Sequence, residues 1–156
     1  MDDQDRIWED FTKRFKASRP SVFKVAEYLN REKNCSVYIP KMELAPNKTL
    51  AALYRDDGDI IVNDKHVIEV KGKSVLFSSA EDWPFKERDI IVANVASADR
   101  HDVFAFFIVN QHMTHAAMIR GDTKDRWKKE MMPDKRRGTW EEKYLCPIDL
   151  VEFVKL

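Results

Sequence analysis

The chain has 156 residues, 44% hydrophobic and 11% aromatic, with 27 basic and 27 acidic side chains and no net charge. That length fits a single domain able to bury about two thirds of its unfolded surface, and the composition excludes a disordered or fibrous chain. No run approaches the about eighteen apolar residues of a membrane span, and the acidic start MDDQDRIWED lacks the basic and apolar regions of a signal peptide, so a cytoplasmic protein is expected.

In chain order, residues 5–16 predict a short amphipathic helix, because Ile7, Trp8, Phe11 and Phe15 recur at helical spacing. Residues 1–17 would then be an N-terminal helical extension. A second helix is expected over Ser21–Lys33, where Ser18 and Pro20 are start signals and Val22, Val25, Ala26 and Leu29 form one apolar stripe with Phe23 at its edge. Ser36–Ile39 reads as a brief strand stopped by Pro40, and Pro46-Asn47 marks a loop before Leu50–Tyr54. Two β-branched runs, Ile60–Val62 and His66–Val70, flank the polar connection Asn63-Asp64-Lys65 and read as a hairpin.

Beyond it, Val75–Phe77 extend the strand past Gly72 or begin another, and Pro84 then denies the chain regular structure. Ile90–Val95 leans to strand through Ile90, Ile91 and Val92, although Ala93, Val95, Ala96 and Ala98 would permit helix. Val103–Val109, seven uninterrupted apolar residues, predicts a buried strand, with Ala116–Ile119 its partner across an Asn110–Thr114 turn. Asp122–Met131 carries helix formers, and Tyr144–Leu145 and Val151–Val154 close the chain with short extended pieces. The order predicts an α/β (α+β) fold, a mixed central sheet flanked by helices.

Chemistry concentrates at the hairpin. Side chains alternate along a strand, so Glu69 and Lys71 share one face, opposite Ile68 and Val70. A carboxylate and an ammonium at the end of an apolar strand are costly there unless a metal, a substrate or each other satisfies them. Asp59, opening the preceding strand, adds a second carboxylate, and two carboxylates with a backbone carbonyl make the oxygen-rich site that Mg²⁺ prefers. Lys71 would hold or activate a water, while the metal stabilises charge building on a phosphate in an in-line displacement. The bland alternative is a solvated hairpin edge, a same-face pair worth only about 0.2–1 kcal/mol.

The pattern of Asp59, a gap of nine residues and then Glu69-Val70-Lys71 resembles the PD-(D/E)XK nuclease superfamily, with Gly58 standing where its members have Pro. The resemblance implies a restriction-endonuclease-like fold with Mg²⁺, or Mn²⁺ as a substitute, bound by Asp59, Glu69 and the Val70 carbonyl. It also implies a catalytic Lys71 and a further Glu from the first helix, for which Glu27 is the first choice and Glu9 the fallback. The implied activity is endonucleolytic hydrolysis of DNA phosphodiester bonds. A single domain without a sequence-reading appendage looks more like a phage or mobile-element enzyme than a restriction enzyme, and cutting both strands would call for a homodimer. A catalytically inactive module of the same fold, binding nucleic acid or protein, is the alternative.

Charge is polarised along the chain. Residues 1–10 hold five acids against Arg6, whereas Arg120–Gly138 holds eight basic residues against four acidic ones. Lys124, Arg126, Lys128, Lys129, Arg136 and Arg137, together with Lys73 two positions past Lys71, are therefore the candidate DNA contacts, against the alternative of a solvated charged face. Trp127 and Trp140 flank that segment as base-stacking or core-anchoring residues. His112 and His115 sit in a turn and are expected to point different ways, and His66 should lie off the metal side. Cys35 and Cys146, far apart and outside any CxxC pattern, read as ordinary thiols.

Overall fold

The hairpin forms as its sequence demands. In the computed structural model, which describes residues 3–40, 58–135 and 138–156, β2 (Ile60–Val62) and β3 (His66–Gly72) pair antiparallel from Ile60↔Ile68 to Val62↔His66. Asn63 and Asp64 turn the chain at φ of 52° and 59°, the left-handed region that these two residue types tolerate best after glycine. The Asn63 side chain also accepts the Ser36 N–H at 2.9 Å, which brings β1 (Val37–Tyr38) against β2.

The other edge of β3 pairs in parallel with β5 (Ala105–Val109), and β6 (His115–Arg120) and β9 (Glu152–Lys155) follow antiparallel. The result is a mixed six-stranded sheet in the order β1-β2-β3-β5-β6-β9. Between β3 and β5 the chain makes β4 (Asp89–Asn94) and the short helix α2 (Val95–Arg100). With β7 (Lys128–Asp134) and β8 (Thr139–Pro147), β4 builds a second, three-stranded antiparallel sheet in the order β4-β8-β7.

β5 is buried along its whole length, and its alternation divides the core. Ala105, Phe107 and Val109 join Ile68 and Val70 of β3 against Val22, Val25, Ala26 and Leu29 of the long helix α1 (Asp3–Lys33). Phe106 and Ile108 join Ile90, Val92, Tyr144 and Cys146 of the smaller sheet. The six-stranded sheet thus lies between α1 on one face and the three-stranded sheet on the other. This is the mixed α/β architecture expected, with the second face covered by strands rather than helices.

Several elements differ from expectation. The two N-terminal helices are one, with Pro20 inside it; Pro20 is exposed, so the carbonyl it leaves without a donor can be hydrated. Asp122–Met131 is not a helix. Gly121–Arg126 forms a 3-10 turn, and the strand β7 begins at Lys128. Val75–Phe77 is irregular, with Phe77 buried in the inter-sheet core. Around Ile90 both tendencies operate in succession, strand to Asn94 and helix from Val95. Phe104 precedes β5 and stacks on His66, ring centroids 4.3 Å apart. The loop at Pro46-Asn47, the stretch Leu50–Tyr54 and the side-chain packing of Ile7, Trp8, Phe11 and Phe15 lie outside the described residues. Among the described residues no helix is long and apolar enough to cross a membrane.

Candidate active site at the junction of the two sheets

Because Ile68 and Val70 point into the α1 layer, Glu69 and Lys71 face the smaller sheet. Their register opposite Phe106 and Ile108 places them beside the residues that fill the inter-sheet core. Where an apolar side chain would extend that core, β3 presents charge instead.

Asp59 stands next to this pair, just past the last β2–β3 partners. Its backbone N–H donates to the Ile68 carbonyl at 3.2 Å, and its Oδ2 accepts the Val70 N–H at 2.7 Å. The carboxylate therefore replaces the strand acceptor that β2 no longer supplies, and the bond fixes its orientation. Gly58 makes this approach feasible. It adopts φ +98°, and a Cβ there would lie 2.5 Å from Val67 Cγ1 and 3.9 Å from Glu69 Oε1. Neither proline nor any L side chain fits that backbone.

Lys71 reaches across to the smaller sheet, where its Nζ donates to the Val92 carbonyl at 2.5 Å. β4 is irregular there: Ile91 pairs with Leu145 and Ala93 with Tyr144, leaving Val92 as the extra residue of a β-bulge. Desolvation is the largest influence on the Lys71 ammonium and lowers its pKa below the ordinary 10.5; Glu69 and Asp59 pull it up, and Lys143 and Lys73 push it further down. Lys71 as a whole residue is exposed, while its head group is drawn inward to Val92.

A polar cluster forms between β4 and β8, two residues along β4 from Val92. Asn94 Nδ2 donates to Glu141 Oε2 at 2.8 Å, and Lys143 Nζ donates to Asn94 Oδ1 at 2.7 Å. Lys143 and Glu141 are also an ion pair at 3.7 Å, each side chain only 21% exposed. These residues are distant in sequence and meet through the β4–β8 pairing, so no local motif could have announced them.

The structure brings Asp59, Glu69 and Lys71 together, but not Glu27. The apolar stripe of α1 faces the sheet, and at 100° per residue Glu27 falls on the opposite side. There its carboxylate pairs with Arg31 at 2.7 Å with 59% of its side chain exposed. Glu9 is exposed among Arg6, Thr12, Lys13 and Lys16 of the same helix. Lys73 is partly engaged as well. Its ammonium lies over the rings of Phe85 and Trp83, 5.0 and 5.8 Å from their centroids, and burial lowers its pKa.

The basic segment does not form one surface. Lys124 pairs with Asp99 at 2.5 Å and Lys128 with Asp89 at 3.2 Å. Lys128 and Lys129, adjacent on β7, share faces with Leu145 and Tyr144 respectively and so point to opposite sides of the sheet. Arg126 is exposed, and Arg136 and Arg137 lie outside the described residues. Trp127 is a core anchor, its Nε1 donating to Thr123 Oγ1 at 2.9 Å, whereas Trp140 is 67% exposed on β8.

Asp59, Glu69 and the Val70 carbonyl offer hard oxygen donors of the kind Mg²⁺ takes. Among the described residues no three His, Cys, Asp or Glu gather as a ready-made metal cage, so water and substrate oxygens would complete an octahedral shell, as is usual for this ion. Comparison with known proteins finds no matching family model, no matching curated protein and no matching solved structure.

Proposed function

We propose that the chain is a divalent-metal-dependent nuclease of the PD-(D/E)XK kind, hydrolysing phosphodiester bonds of DNA. The observation that carries this reading is geometric: Asp59, tied to β3 by the Val70 N–H, stands beside Glu69 and Lys71 on the strand face turned to the smaller sheet, where the Val92 carbonyl takes the Lys71 ammonium. Asp59, Glu69 and the Val70 carbonyl would hold Mg²⁺ or Mn²⁺, which supplies Lewis-acid stabilisation of charge developing on the phosphate. Asp59 is kept in place for that task by the Val70 N–H. Lys71, oriented by the Val92 carbonyl and with its proton affinity lowered, holds the attacking water and accepts its proton. If both strands are cut, two copies of the site are needed and a homodimer supplies them.

Plasmid and linear DNA incubated with the protein in Mg²⁺ or Mn²⁺ test the reading. Wild type is expected to cut, and Glu69→Ala and Lys71→Ala to cut nothing while melting as cooperatively as wild type. Variants that cut normally would overturn the site. A second reading, a binding module of the same fold without activity, draws on the fact that the Asp59–Val70 and Lys71–Val92 bonds also serve the fold. It predicts DNA or protein binding with no cutting in any divalent ion.

A further inference from the structure

The smaller sheet does not keep three strands along its whole length. β4 pairs with β8 only from Lys143 to Pro147, whereas β7 follows β8 out to the pair Asp134↔Thr139. From Met131↔Glu142 onward the described residues therefore form a two-stranded ribbon, an arrangement that is marginal in water on its own and that polar side chains would suit best. One of its faces is instead apolar. Lys129, Met131 and Pro133 of β7 share that face with Tyr144, Glu142 and Trp140 of β8. Met131 is 53% and Trp140 67% exposed, and Pro133, the cross-strand partner of Trp140, is exposed as well. Positive charge brackets this strip. At the sheet end the Lys129 ammonium lies 5.6 Å from the centroid of the Tyr144 ring, while Lys124 at the same ring is engaged by Asp99. At the other end Lys135 is exposed, and the sequence that joins the two strands, Lys-Arg-Arg-Gly over residues 135–138, is basic with no acid in it. β7 is the outer strand of its sheet, and its lysines and Pro133 blunt that edge against strand addition by another chain.

We propose that this face of the β7–β8 ribbon binds an unpaired stretch of DNA, with bases stacked on Trp140 and laid against Met131 and Pro133, and backbone phosphates held by Lys135 at the tip and Lys129 at the base. The indole presents a π-face that any base can stack on, and a duplex offers no free base face to it. Glu142, opposite Met131 on the same side, repels phosphate and so keeps the backbone contacts to the two basic ends. The inference deepens the nuclease reading, making DNA with a single-stranded segment the expected substrate, and rests on that reading only for the cutting step. Binding itself can be measured without cutting.

The experiment follows fluorescence anisotropy of a labelled single-stranded DNA, and of the corresponding duplex, titrated with the full chain across a salt series with Ca²⁺ in place of Mg²⁺. Wild type should bind the single strand more tightly. Trp140→Ala should weaken that binding about tenfold with the salt slope unchanged, and Trp140→Phe should recover most of it. Lys135→Gln should reduce the slope of log affinity against log salt by about 0.7, and Glu142→Gln should tighten binding. Stacking should also quench the tryptophan fluorescence of wild type, and less so that of Trp140→Phe. Wild type that ignores the single strand, a duplex bound as tightly as the strand, or Trp140→Ala with wild-type affinity would each overturn the proposal. A chain that sediments as a dimer and becomes monomeric in Trp140→Ala, with strand affinity unchanged, gives the face to a second copy and overturns it too. If the strand is bound through Trp140 but no DNA is ever cut, the ribbon contact stands and the nuclease reading falls. If DNA is cut and Trp140→Ala binds and cuts like wild type, the nuclease reading stands and the contact falls. Should Trp140→Ala fail to fold, the other two variants decide, since unaltered quenching in Trp140→Phe with an unaltered slope in Lys135→Gln refutes the contact.

Discussion

Asp59 is assigned two tasks, and substitution can separate them. Its Oδ2 is the acceptor for the Val70 N–H at 2.7 Å, and Val70 is only 7% exposed. In Asp59→Ala that buried N–H is left without its acceptor, which costs about 1–3 kcal/mol. For a chain of this size about 2 kcal/mol corresponds to a melting temperature lower by roughly 4–8 °C. Asp59→Asn keeps an amide oxygen for the same bond and loses only the charge assistance, so its cost should stay below about 1 kcal/mol. Cutting behaves differently, because both variants lack the carboxylate and both should fall to background. Urea and thermal unfolding of the three proteins, run in parallel with a cleavage assay, give four comparisons. If Asp59→Ala melts with wild type, the bond to Val70 is not made in solution. If Asp59→Asn cuts at the wild-type rate, the carboxylate is no part of the metal set.

Other perturbations act on the residues around Asp59. Gly58→Ala forces an L residue to φ +98° with its Cβ 2.5 Å from Val67 Cγ1; calorimetry should show a loss of at least about 1–3 kcal/mol, with cutting reduced through displacement of Asp59. Mg²⁺ at about 100 times its Kd should stabilise wild type by about 2.7 kcal/mol, and Glu69→Ala should remove most of that gain in a thermal shift titration. The Lys71 pKa is lowered in the folded state, so between that value and 10.5 the unfolded chain holds a proton the folded chain has released. Stability contributed through Lys71 therefore rises with pH across this window. The melting difference between wild type and Lys71→Met should change in that direction, and the alkaline rise in cutting rate should vanish in Lys71→Arg.

What could be read from the sequence was local. The hairpin announces itself because its strands, its turn and its three charged groups all lie between Asp59 and Lys71, and alternation alone assigns Glu69 and Lys71 to one face. β5 is legible for a related reason, since a strand buried on both sides must be apolar throughout. The smaller sheet is not. β7 has good helix formers and is exposed over most of its length, so neither propensity nor burial marks it as a strand, and only its pairing with β8 makes it one. α1 misleads in the opposite sense: Pro20 carries a strong start signal, yet the helix runs through it. Glu27 shows the limit of helical spacing. Its closeness to Phe23 is correctly read, but Phe23 is itself 56% exposed, and the face they share looks away from the sheet.

The division between legible and hidden residues follows the chemistry of the site. The hairpin supplies charges, and charges have a sequence signature; the smaller sheet supplies direction, which has none. A lysine on β3 with no partner across the gap would extend its ammonium into water and titrate near its ordinary value. The bulge at Val92 turns a main-chain carbonyl out of the ladder and toward Lys71, and any residue with a carbonyl could perform that service at the same place in the pairing. Lys143 adds repulsion from the same sheet through a side chain that Asn94 holds. The surroundings of the Lys71 ammonium are thereby set by the register of β4 against β8, so substitutions that shift this register should alter the titration of Lys71 while leaving Asp59, Glu69 and Lys71 untouched.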